Sequence, residues 1–359
     1  SVHPRGDIRI FNKECWTLVC AGHEVTLVVA DGQGDETSNE ILVVDVGRVG
    51  GDRWARMTTT RNRILCRALQ LDADIYHFHD PELLPAGMAL QRKGKRVIYD
   101  AHELLPASLR NKHYLPVRAR WIASLLVGQY EKFVAKRLSA AVAATPAIAD
   151  RLHQVQPRTE VVANYPELTD VDVESETWNE RENLVCYQGA ISWERGLREM
   201  VAAVAQADRR LLLAGAYSDE MDRTAVRQLP GWEAVEELGT LDRSRLWAIM
   251  CRCRIGLVLF HPCPNHMEAQ PNKLFEYMAA GLPVIASNFP MWRELVEGCR
   301  CGICVDPMDS KAIAKGITWL FDHPEEADKM GQRGREAIRE HFNWESEARK
   351  LLALYDSLA

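Results

Sequence analysis

The chain of 359 residues lacks any apolar run approaching the ~18 consecutive residues that a membrane-spanning helix needs. It shows no signal-peptide pattern, and it opens with Ser1 rather than Met, so we expect a trimmed N-terminus. A net charge of −6 and a pI near 6.0 argue against a general nucleic-acid-binding protein. No Gly-x-Gly-x-x-Gly follows a predicted strand, which disfavours a Rossmann oxidoreductase. These absences favour a globular protein of the cytoplasm.

The ten cysteines are scattered and suggest no disulfide framework, which suits a reducing compartment. Cys301-x-x-Cys304 has the spacing of zinc ligands, but no second C-x-x-C accompanies it. We therefore interpret these cysteines as ordinary thiols. The length suggests about two domains, and 47% hydrophobic residues supply enough apolar material for two cores.

Apolar strands alternate with helical segments in both halves of the chain, which predicts an α/β fold with parallel sheets. The predicted strands are Glu24–Ala30, Ile41–Val46, Ile75–His79, Arg96–Asp100, Ala140–Ala144 and Glu160–Ala163, then Asn183–Tyr187, Arg210–Ala214, Ala234–Leu238, Ile255–Phe260 and Val284–Ser287. The acidic stretch Glu167–Arg181 lacks apolar periodicity and is typical of a linker. We expect domains over residues 1–168 and 183–340, a linker over 169–182, and a C-terminal helix within 341–359.

The most informative stretch is His261–Glu294, which carries Glu268 and Glu276 with seven residues between them. A helix beginning at Pro271 and ending before Gly281 would carry the second carboxylate. The order is strand, loop with Glu268, helix with Glu276, strand. Loops at the carboxyl ends of parallel strands are where open α/β sheets bind ligands.

This stretch resembles the retaining glycosyltransferases of family 4, whose hallmark is a Glu-x7-Glu pair followed by small residues and a Gly-x-Pro-Val strand. The resemblance implies the GT-B fold: two Rossmann-like domains facing across a cleft, with the last helix crossing back to the N-terminal domain. It implies transfer of a sugar from a UDP- or GDP-sugar to an acceptor hydroxyl, with no cofactor and no metal required for the chemistry. In the family, the N-terminal domain binds the acceptor, the C-terminal domain binds the nucleotide-sugar, and a first strand would precede Ser1.

For the donor, the resemblance implies that Glu276 accepts hydrogen bonds from the ribose hydroxyls. Glu268 would contact the donor sugar and stabilise positive charge developing at its ring. Double displacement through a carboxylate would also retain configuration, so both routes stay open.

The diphosphate of the donor needs positive charge, which a Gly-Arg turn and a Lys supply in the family. Here the turn reads Gly189-Ala190, so the first cation is missing, and Arg195 stands at the Lys position. Lys273 and Arg293 are candidates to compensate, or they are solvated charges.

Two further segments would contact the nucleotide. Asn288, Phe289, Pro290 and Met291 replace the glycine pair of the last phosphate-facing loop, and their backbone amides could still point at phosphate. The resemblance places the nucleobase near Gly215 and the segment ending at Leu241.

In the N-terminal half, Tyr99–Glu103 matches a strand-then-histidine pattern, and the resemblance implies that His102 reaches the donor sugar or the reacting centre. His79 and Asp80 belong to a string found in a polysaccharide-synthesis subset of the family. They would bind the acceptor or cap the following helix. His77-x-His79-Asp80 also offers metal-ligand residue types, which the metal-free chemistry of the fold disfavours.

The first turn offers two more acceptor-binding candidates, Asp7 and Arg9, which with Arg5 would face the interdomain cleft. Asp7 would contact an acceptor hydroxyl or only begin the helix with a negative charge.

Two basic stretches contain interspersed apolar residues, as interfacial helices do. They are Arg53–Arg67, with Trp54, and Arg118–Arg137, with Trp121. Family members with lipid-linked acceptors dock on anionic membranes through their N-terminal domain, so we expect contact with the inner face of the cytoplasmic membrane. An ordinary amphipathic helix with a solvated basic face is the alternative.

The preferred setting is synthesis of a surface polysaccharide or a lipid-linked glycan, and a small-molecule acceptor is the alternative. Two other functions share the fold. A nucleotide-sugar epimerase is opposed by the Glu-x7-Glu string, which belongs to the transferases. An inactive nucleotide-sugar-binding scaffold is favoured only by Ala190 and the non-glycine loop.

Overall fold

The computed structural model describes residues 3–48, 56–110, 116–171, 177–218 and 223–358. The chain forms two compact units, and each is an α/β structure, as predicted. Unit 1 comprises Ser1–Asn164 with Trp344–Ala359, and unit 2 comprises Tyr165–Asn343.

Unit 1 contains two sheets. Its strands are β1 (Thr26–Val29), β2 (Glu36–Ser38), β3 (Ile41–Asp45), β4 (Ile75–Phe78), β5 (Arg96–Ala101), β6 (Ala140–Ala143) and β7 (Thr159–Val161). One sheet has the order β1-β3-β2, and the other, all parallel, has the order β4-β5-β6-β7. Residues of both β1 and β4 line a cavity of about 530 Å³. Strand β2, antiparallel to β3, was not predicted because three polar residues carry no apolar alternation.

Unit 1 also contains ten helical segments in the described residues. They are Ile8–Cys15 (π-type), Trp16–Cys20, Arg56–Thr60 (π-type), Arg61–Leu71, Pro81–Leu83 (3-10), Leu84–Arg92, Leu105–Arg110, Val117–Ala135, Pro146–His153 and Trp344–Asp356. In the first predicted basic stretch, Arg53 and Trp54 lie outside the described residues. Helix Arg61–Leu71 buries Ile64 and Ala68, as an ordinary amphipathic helix does.

Unit 2 is built on one six-stranded parallel sheet of order β10-β9-β8-β11-β12-β13. The strands are β8 (Leu184–Gln188), β9 (Arg210–Ala214), β10 (Val235–Gly239), β11 (Ile255–Val258), β12 (Val284–Ser287) and β13 (Gly302–Val305). Strands β8, β11 and β12 are buried along their whole length. Burial on both faces explains why they are continuous apolar runs rather than alternating ones.

Helices pack on both faces of this sheet. They are Leu168–Val171, Trp193–Arg195 (3-10), Leu197–Gln206, Arg223–Arg227, Trp232–Ala234 (3-10), Arg243–Arg252, Pro264–Met267, Asn272–Ala279, Pro290–Gly298, Ser310–Asp322 and Pro324–Glu340. Helix Asn272–Ala279 ends as predicted, with Gly281 in the left-handed region at a φ of 72°.

The predicted linker differs from the structure. Residues 172–176 lie outside the described residues, but Leu168–Val171 is helical and the segment from residue 177 belongs to unit 2. Trp178 is buried, and Arg181 donates hydrogen bonds to the buried carbonyls of Met250, Cys253 and Ala280. Two isolated buried side chains produce no periodic pattern, so the sequence does not reveal them.

The C-terminal helix Trp344–Asp356 packs within unit 1. The indole of Trp344 donates to Thr17 Oγ1 at 3.0 Å, and Glu347 Oε2 accepts from the Ala163 amide at 2.8 Å. Among the described residues, no helix has both the length and the apolar character needed to cross a membrane.

Candidate active site

The first candidate group lies at the carboxyl end of β8 in unit 2. Glu276, on helix Asn272–Ala279, is half-buried, and its Oε2 accepts a hydrogen bond from Gln188 Nε2 at 2.6 Å. The hydroxyl of Tyr277 on the same helix accepts from the Gln188 backbone amide at 3.0 Å. Helix and strand end are thereby fixed to each other, and the Glu276 carboxylate is held in one orientation.

Lys273 lies one turn earlier on the same helix and is buried. Its Nζ lies 3.7 Å from the centroid of the Tyr187 ring, and no hydrogen bond to Nζ is found among the described residues. Burial, with Arg195 nearby, holds the pKa of Lys273 well below its ordinary value. A buried lysine without an anionic hydrogen-bond partner is suited to receive an anion, which would favour its protonated form.

Three glycines place the loops after β8, β9 and β10 side by side. The Gly189 amide donates to Ala214 O at 3.0 Å, and the Gly215 amide donates to Gly239 O at 2.8 Å. A Cβ at Gly215 would lie 1.9 Å from Gly189 O, and a Cβ at Gly189 would lie 3.2 Å from Lys273 Nζ. Only glycine permits this approach, which brings backbone groups and the Lys273 ammonium to one surface.

Glu268 follows the short helix Pro264–Met267 and is exposed. In the part of the chain that the structure describes, it makes no hydrogen bond or ion pair. The next residue is held in place, because the buried Trp292 indole donates to Ala269 O at 2.7 Å. Glu268 is thus a solvated carboxylate on a loop that is held by the hydrogen bond from Trp292 to the neighbouring residue.

The segment Asn288–Met291 differs from the expected phosphate-facing loop. The amides of Asn288 and Phe289 already donate to Val305 O and Ser287 O, and Pro290 has no N–H. Phe289 is buried against Trp292. Of the four predicted residues, only Met291, in the first turn of helix Pro290–Gly298, has an amide outside these bonds.

The remaining predicted residues of unit 2 are half-buried or exposed. Arg195 is half-buried, and its guanidinium lies 5.2 Å from the Phe260 ring centroid. Arg293 is exposed, with Nε bonded to Asn288 Oδ1 at 2.5 Å. Leu241 is half-buried just after β10, beyond Gly239.

The second candidate group lies in unit 1, where Asp100 is fully buried at the end of β5. Its Oδ2 lies 2.9 Å from Arg9 Nη2, 3.3 Å from His79 Nδ1 and 3.1 Å from His102 Nε2. Burial opposes the charge, but Arg9 and the imidazoles hold the pKa of Asp100 well below its ordinary value. Asp100 therefore joins two of the predicted histidines through one ionised oxygen.

Arg9 does not lie where an acceptor could reach it. It is buried, pairs with Glu14 and Asp100, and donates to Val162 O at 2.8 Å. Asp7 is the N-cap of helix Ile8–Cys15, with Oδ1 accepting from the Ile10 amide at 3.0 Å. The helix-starting alternative for Asp7 is therefore the one that the structure supports.

His79 and Asp80 are also buried. Burial lowers the pKa of His79 to about 4, so its imidazole is neutral at physiological pH. Asp80 precedes the turn Pro81–Leu83 and has no side-chain capping bond to it, and its Oδ1 lies 3.0 Å from His3 Nε2. Of the predicted histidines, His102 is the more exposed, with 22% of its side chain accessible.

The ligand-type atoms of Glu14, His79, Asp100 and His102 all lie within 4.8 Å of one another. In the described part of the chain, no other set of three or more His, Cys, Asp or Glu side chains is placed to hold a metal ion. The Cys301–Cys304 pair is accordingly not part of such a group.

Comparisons with known proteins identify the fold and family. The Glycosyltransferase Family 4 model matches residues 15–165, and the Glycosyl transferases group 1 model matches residues 169–337. The structure of Anabaena HepE in complex with UDP covers 99% of this chain and 97% of its own, with a TM-score of 0.74 and 16% sequence identity. The chain is a glycosyltransferase of the GT-B fold.

Two curated relatives are similar to this glycosyltransferase. D-rhamnosyltransferase WbpZ of Pseudomonas aeruginosa is 22% identical over 290 residues, covering 77% of this chain and 71% of the relative. Glycogen synthase of Mycobacterium tuberculosis is 24% identical over 177 residues, covering 47% of this chain. The aligned part is 41% of that synthase, so the match spans less than half the length of the relative.

Several site residues of this glycosyltransferase are missed by sequence reasoning. Gln188, the last residue of β8, and Asp100, next to the last residue of β5, were not predicted as site residues. Glu14 and His3 carry no local signal, and they join the unit 1 group only through tertiary structure. A polar residue at the carboxyl end of an apolar strand is the signal that could have identified Gln188 and Asp100.

Proposed function

We propose that the protein is a retaining hexosyltransferase that moves a sugar from a nucleotide-diphosphate donor to an acceptor hydroxyl. The observation that carries this proposal is the arrangement at the end of β8, where the oriented Glu276 carboxylate and the buried Lys273 ammonium lie one helical turn apart. A carboxylate accepts from vicinal hydroxyls, and a desolvated ammonium pairs with phosphate. Together they match the ribose and the diphosphate of a sugar nucleotide.

Each donor contact has a proposed residue. Glu276 accepts from the ribose hydroxyls. Lys273 and Arg195 supply the positive charge that stabilises the departing diphosphate, so Lys273 takes the place of the cation missing at Ala190. The close backbones of Gly189 and Gly215 leave room for the nucleotide. The fold is shared with HepE, whose structure contains UDP, and this favours a nucleoside diphosphate over an unrelated ligand.

For the reaction itself, we propose that Glu268 stabilises positive charge developing on the donor ring and that His102 contacts a sugar hydroxyl. An exposed, unpaired carboxylate keeps its charge available for this purpose. His102 is half-buried, and its Nε2 lies 3.1 Å from Asp100 Oδ2. Neither role requires a covalent intermediate.

The kind of acceptor is proposed from the relatives and from one exposed apolar surface of unit 1. Relatives include a D-rhamnosyltransferase and a glycogen synthase, so we propose glycan synthesis, with a surface polysaccharide or lipid-linked glycan as product. Helix Val117–Ala135 exposes large apolar side chains, namely Trp121, Ile122, Leu125, Leu126, Tyr130 and Phe133. Arg110 and Arg137 lie over the Trp121 and Phe133 rings, at 4.2 and 3.6 Å from their centroids.

We call the exposed side chains of Trp121, Ile122, Leu125, Leu126, Tyr130 and Phe133 the apolar helix face. Apolar residues bordered by arginines are suited to insert into an anionic lipid surface. We therefore propose that unit 1 docks peripherally on the membrane through this face.

Calorimetric titration with UDP, GDP and ADP tests the donor proposal. One nucleotide should bind selectively to the wild type, and Glu276→Ala should weaken that binding by at least tenfold because two charge-assisted hydrogen bonds are lost. Glu294→Ala removes an exposed carboxylate from a neighbouring helix and should leave affinity unchanged. No binding of any nucleotide would refute the transferase proposal and favour a different ligand.

A further inference from the structure

Four side chains from three separate elements converge in unit 1. Glu14 comes from helix Ile8–Cys15, His79 follows β4, Asp100 lies at the end of β5, and His102 follows β5. All except the half-buried His102 are nearly inaccessible to solvent. Two imidazole nitrogens and two carboxylates form a donor set that suits a borderline divalent metal such as zinc.

The spacing of these atoms matches a coordination sphere. With metal–ligand bonds of about 2.0–2.1 Å, the edge of a tetrahedron is roughly 3.3–3.4 Å. Asp100 Oδ2 lies 3.3 Å from His79 Nδ1 and 3.1 Å from His102 Nε2, and Glu14 Oε2 lies 3.5 Å from His79 Nδ1. The remaining separations do not exceed 4.8 Å, so small side-chain rotations would complete the sphere.

The buried polar atoms are also incompletely satisfied. Within the described structure, neither oxygen of Glu14 nor Nε2 of His102 makes a well-directed hydrogen bond, although all three are shielded from solvent. Buried charged groups without such bonds are costly. Glu14 and Asp100 offer two carboxylates against the single guanidinium of Arg9. A divalent cation would supply both the missing charge and the missing contacts.

Arg9 is placed to support such an ion rather than to replace it. Its Nε pairs with Glu14 Oε1 at 2.9 Å, while the other oxygen, Oε2, faces His79. Its Nη2 lies 2.9 Å from Asp100 Oδ2, the oxygen that faces both histidines, and 3.2 Å from Asp100 Oδ1. Outer contacts of this kind orient ligating carboxylates in metal sites.

We propose that Glu14, His79, Asp100 and His102 bind one divalent transition-metal ion, with zinc the best fit. The ion is structural: it would join helix Ile8–Cys15 to the ends of β4 and β5 and fix the imidazole of His102. This structural role is distinct from the metal-free transfer chemistry implied by the family resemblance. The competing occupant is a proton on Glu14, since burial raises the pKa of that carboxyl well above its ordinary value.

The test uses the full chain, purified without a histidine tag and stripped with a chelator. Zinc chloride is titrated by calorimetry in the presence of a competing chelator, and cobalt(II) is added in parallel to report ligand type by absorption. The variants are Glu14→Gln and His79→Ala, and the control is His153→Ala, an exposed histidine of the same unit. Glu14→Gln imitates the protonated side chain, so this variant should remain folded by circular dichroism.

We expect one equivalent of zinc per chain, with affinity at least tenfold weaker in Glu14→Gln and His79→Ala and unchanged in His153→Ala. Cobalt(II) should give visible d–d bands without a thiolate charge-transfer band, because the site has no cysteine. Absence of stoichiometric binding would overturn the proposal and leave the proton as the occupant. Binding that persists in both variants, or a thiolate band, would also overturn it by placing the metal at cysteines elsewhere. Because the readout is metal binding, failure here is distinguishable from failure of the transferase proposal.

Discussion

Gln188 Nε2 donates to Glu276 Oε2 over 2.6 Å and ties a strand end to the helix that carries the proposed ribose-binding carboxylate. One carboxylate oxygen is thereby held by the protein, which fixes the direction of the carboxylate. An oriented carboxylate loses less conformational entropy on binding than a mobile one.

Replacement of Gln188 should therefore weaken nucleotide binding without removing any group that touches the nucleotide. For Gln188→Leu we expect a rise in the Kd of about tenfold or more, since a hydrogen bond to a charged group contributes about 1.5–3 kcal/mol. Calorimetry with the preferred nucleotide measures the change. Gln228→Leu, on the exposed surface, is the control. An unchanged Kd in Gln188→Leu would show that Glu276 needs no such support.

Substitution of Glu268 should reduce turnover without weakening nucleotide binding. Glu268→Gln keeps the size of the side chain but removes its charge, so we expect at least a 10²-fold loss of kcat with nucleotide Kd within twofold of the wild type. Sugar transfer or donor hydrolysis, measured beside calorimetry, gives both quantities. The exposed Glu233→Gln serves as control. Equal turnover in Glu268→Gln and the wild type would remove Glu268 from the mechanism.

Lys273 should couple nucleotide binding to proton uptake. Burial depresses its pKa in the free protein, and a bound diphosphate would raise that pKa again. Between the depressed pKa and the ordinary 10.5, binding takes up a proton, so affinity should fall as the pH rises through this window. Calorimetry in buffers of different ionisation enthalpy measures the uptake. Lys273→Met should abolish it, whereas Lys311→Met, an exposed residue of helix Ser310–Asp322, should not.

Two glycines with positive φ provide a matched stability test. Gly215 has a φ of +146° and no space for a Cβ beside Gly189 O, whereas Gly239 has a φ of +68° and nothing within 4 Å. We expect Gly239→Ala to lower the free energy of unfolding by about 1 kcal/mol, from backbone strain alone. Gly215→Ala should cost roughly 3 kcal/mol or more, because the loops after β8 and β9 must separate. Urea denaturation distinguishes the two, and equal losses would contradict the role of close approach.

The apolar helix face should control attachment to lipid. Each leucine transferred from water to lipid contributes about 1.5–3 kcal/mol. The double variant Leu125→Ser, Leu126→Ser should therefore lose at least tenfold in co-sedimentation with anionic phosphatidylglycerol vesicles. Leu42→Ser removes an exposed leucine elsewhere in unit 1 and is the control. If the wild-type protein binds neither anionic nor zwitterionic vesicles, the docking proposal is refuted.

Elements that are continuous in sequence were predicted well. Arg210–Ala214 and Val284–Ser287 match observed strands residue for residue, because fully buried parallel strands are uninterrupted apolar runs. The limits of helix Asn272–Ala279 follow from Pro271 and Gly281, whose backbone preferences act locally. These features need no knowledge of distant residues.

Features that depend on distant residues were not predicted. Arg9 was expected to face a ligand, but it is buried because two carboxylates, Glu14 and Asp100, neutralise it. The loop amides of Asn288 and Phe289 were expected to be available, but they bond to backbone carbonyls. The roles of His102 and Glu268 stay predictions, since their positions alone do not establish contact with a sugar.

The return of helix Trp344–Asp356 to unit 1 has a practical consequence for dissecting the protein. The hydroxyl of Tyr355 on that helix lies 3.0 Å from His77 Nδ1. The ring of His77 stacks on that of His79, which contacts Asp100. A gene fragment that stops at residue 164 would encode every predicted acceptor-binding residue and still lack this neighbour. Expression trials of unit 1 alone should therefore supply residues 344–359 as a fused or co-expressed peptide, because helix Trp344–Asp356 contributes Tyr355 to the surroundings of His77.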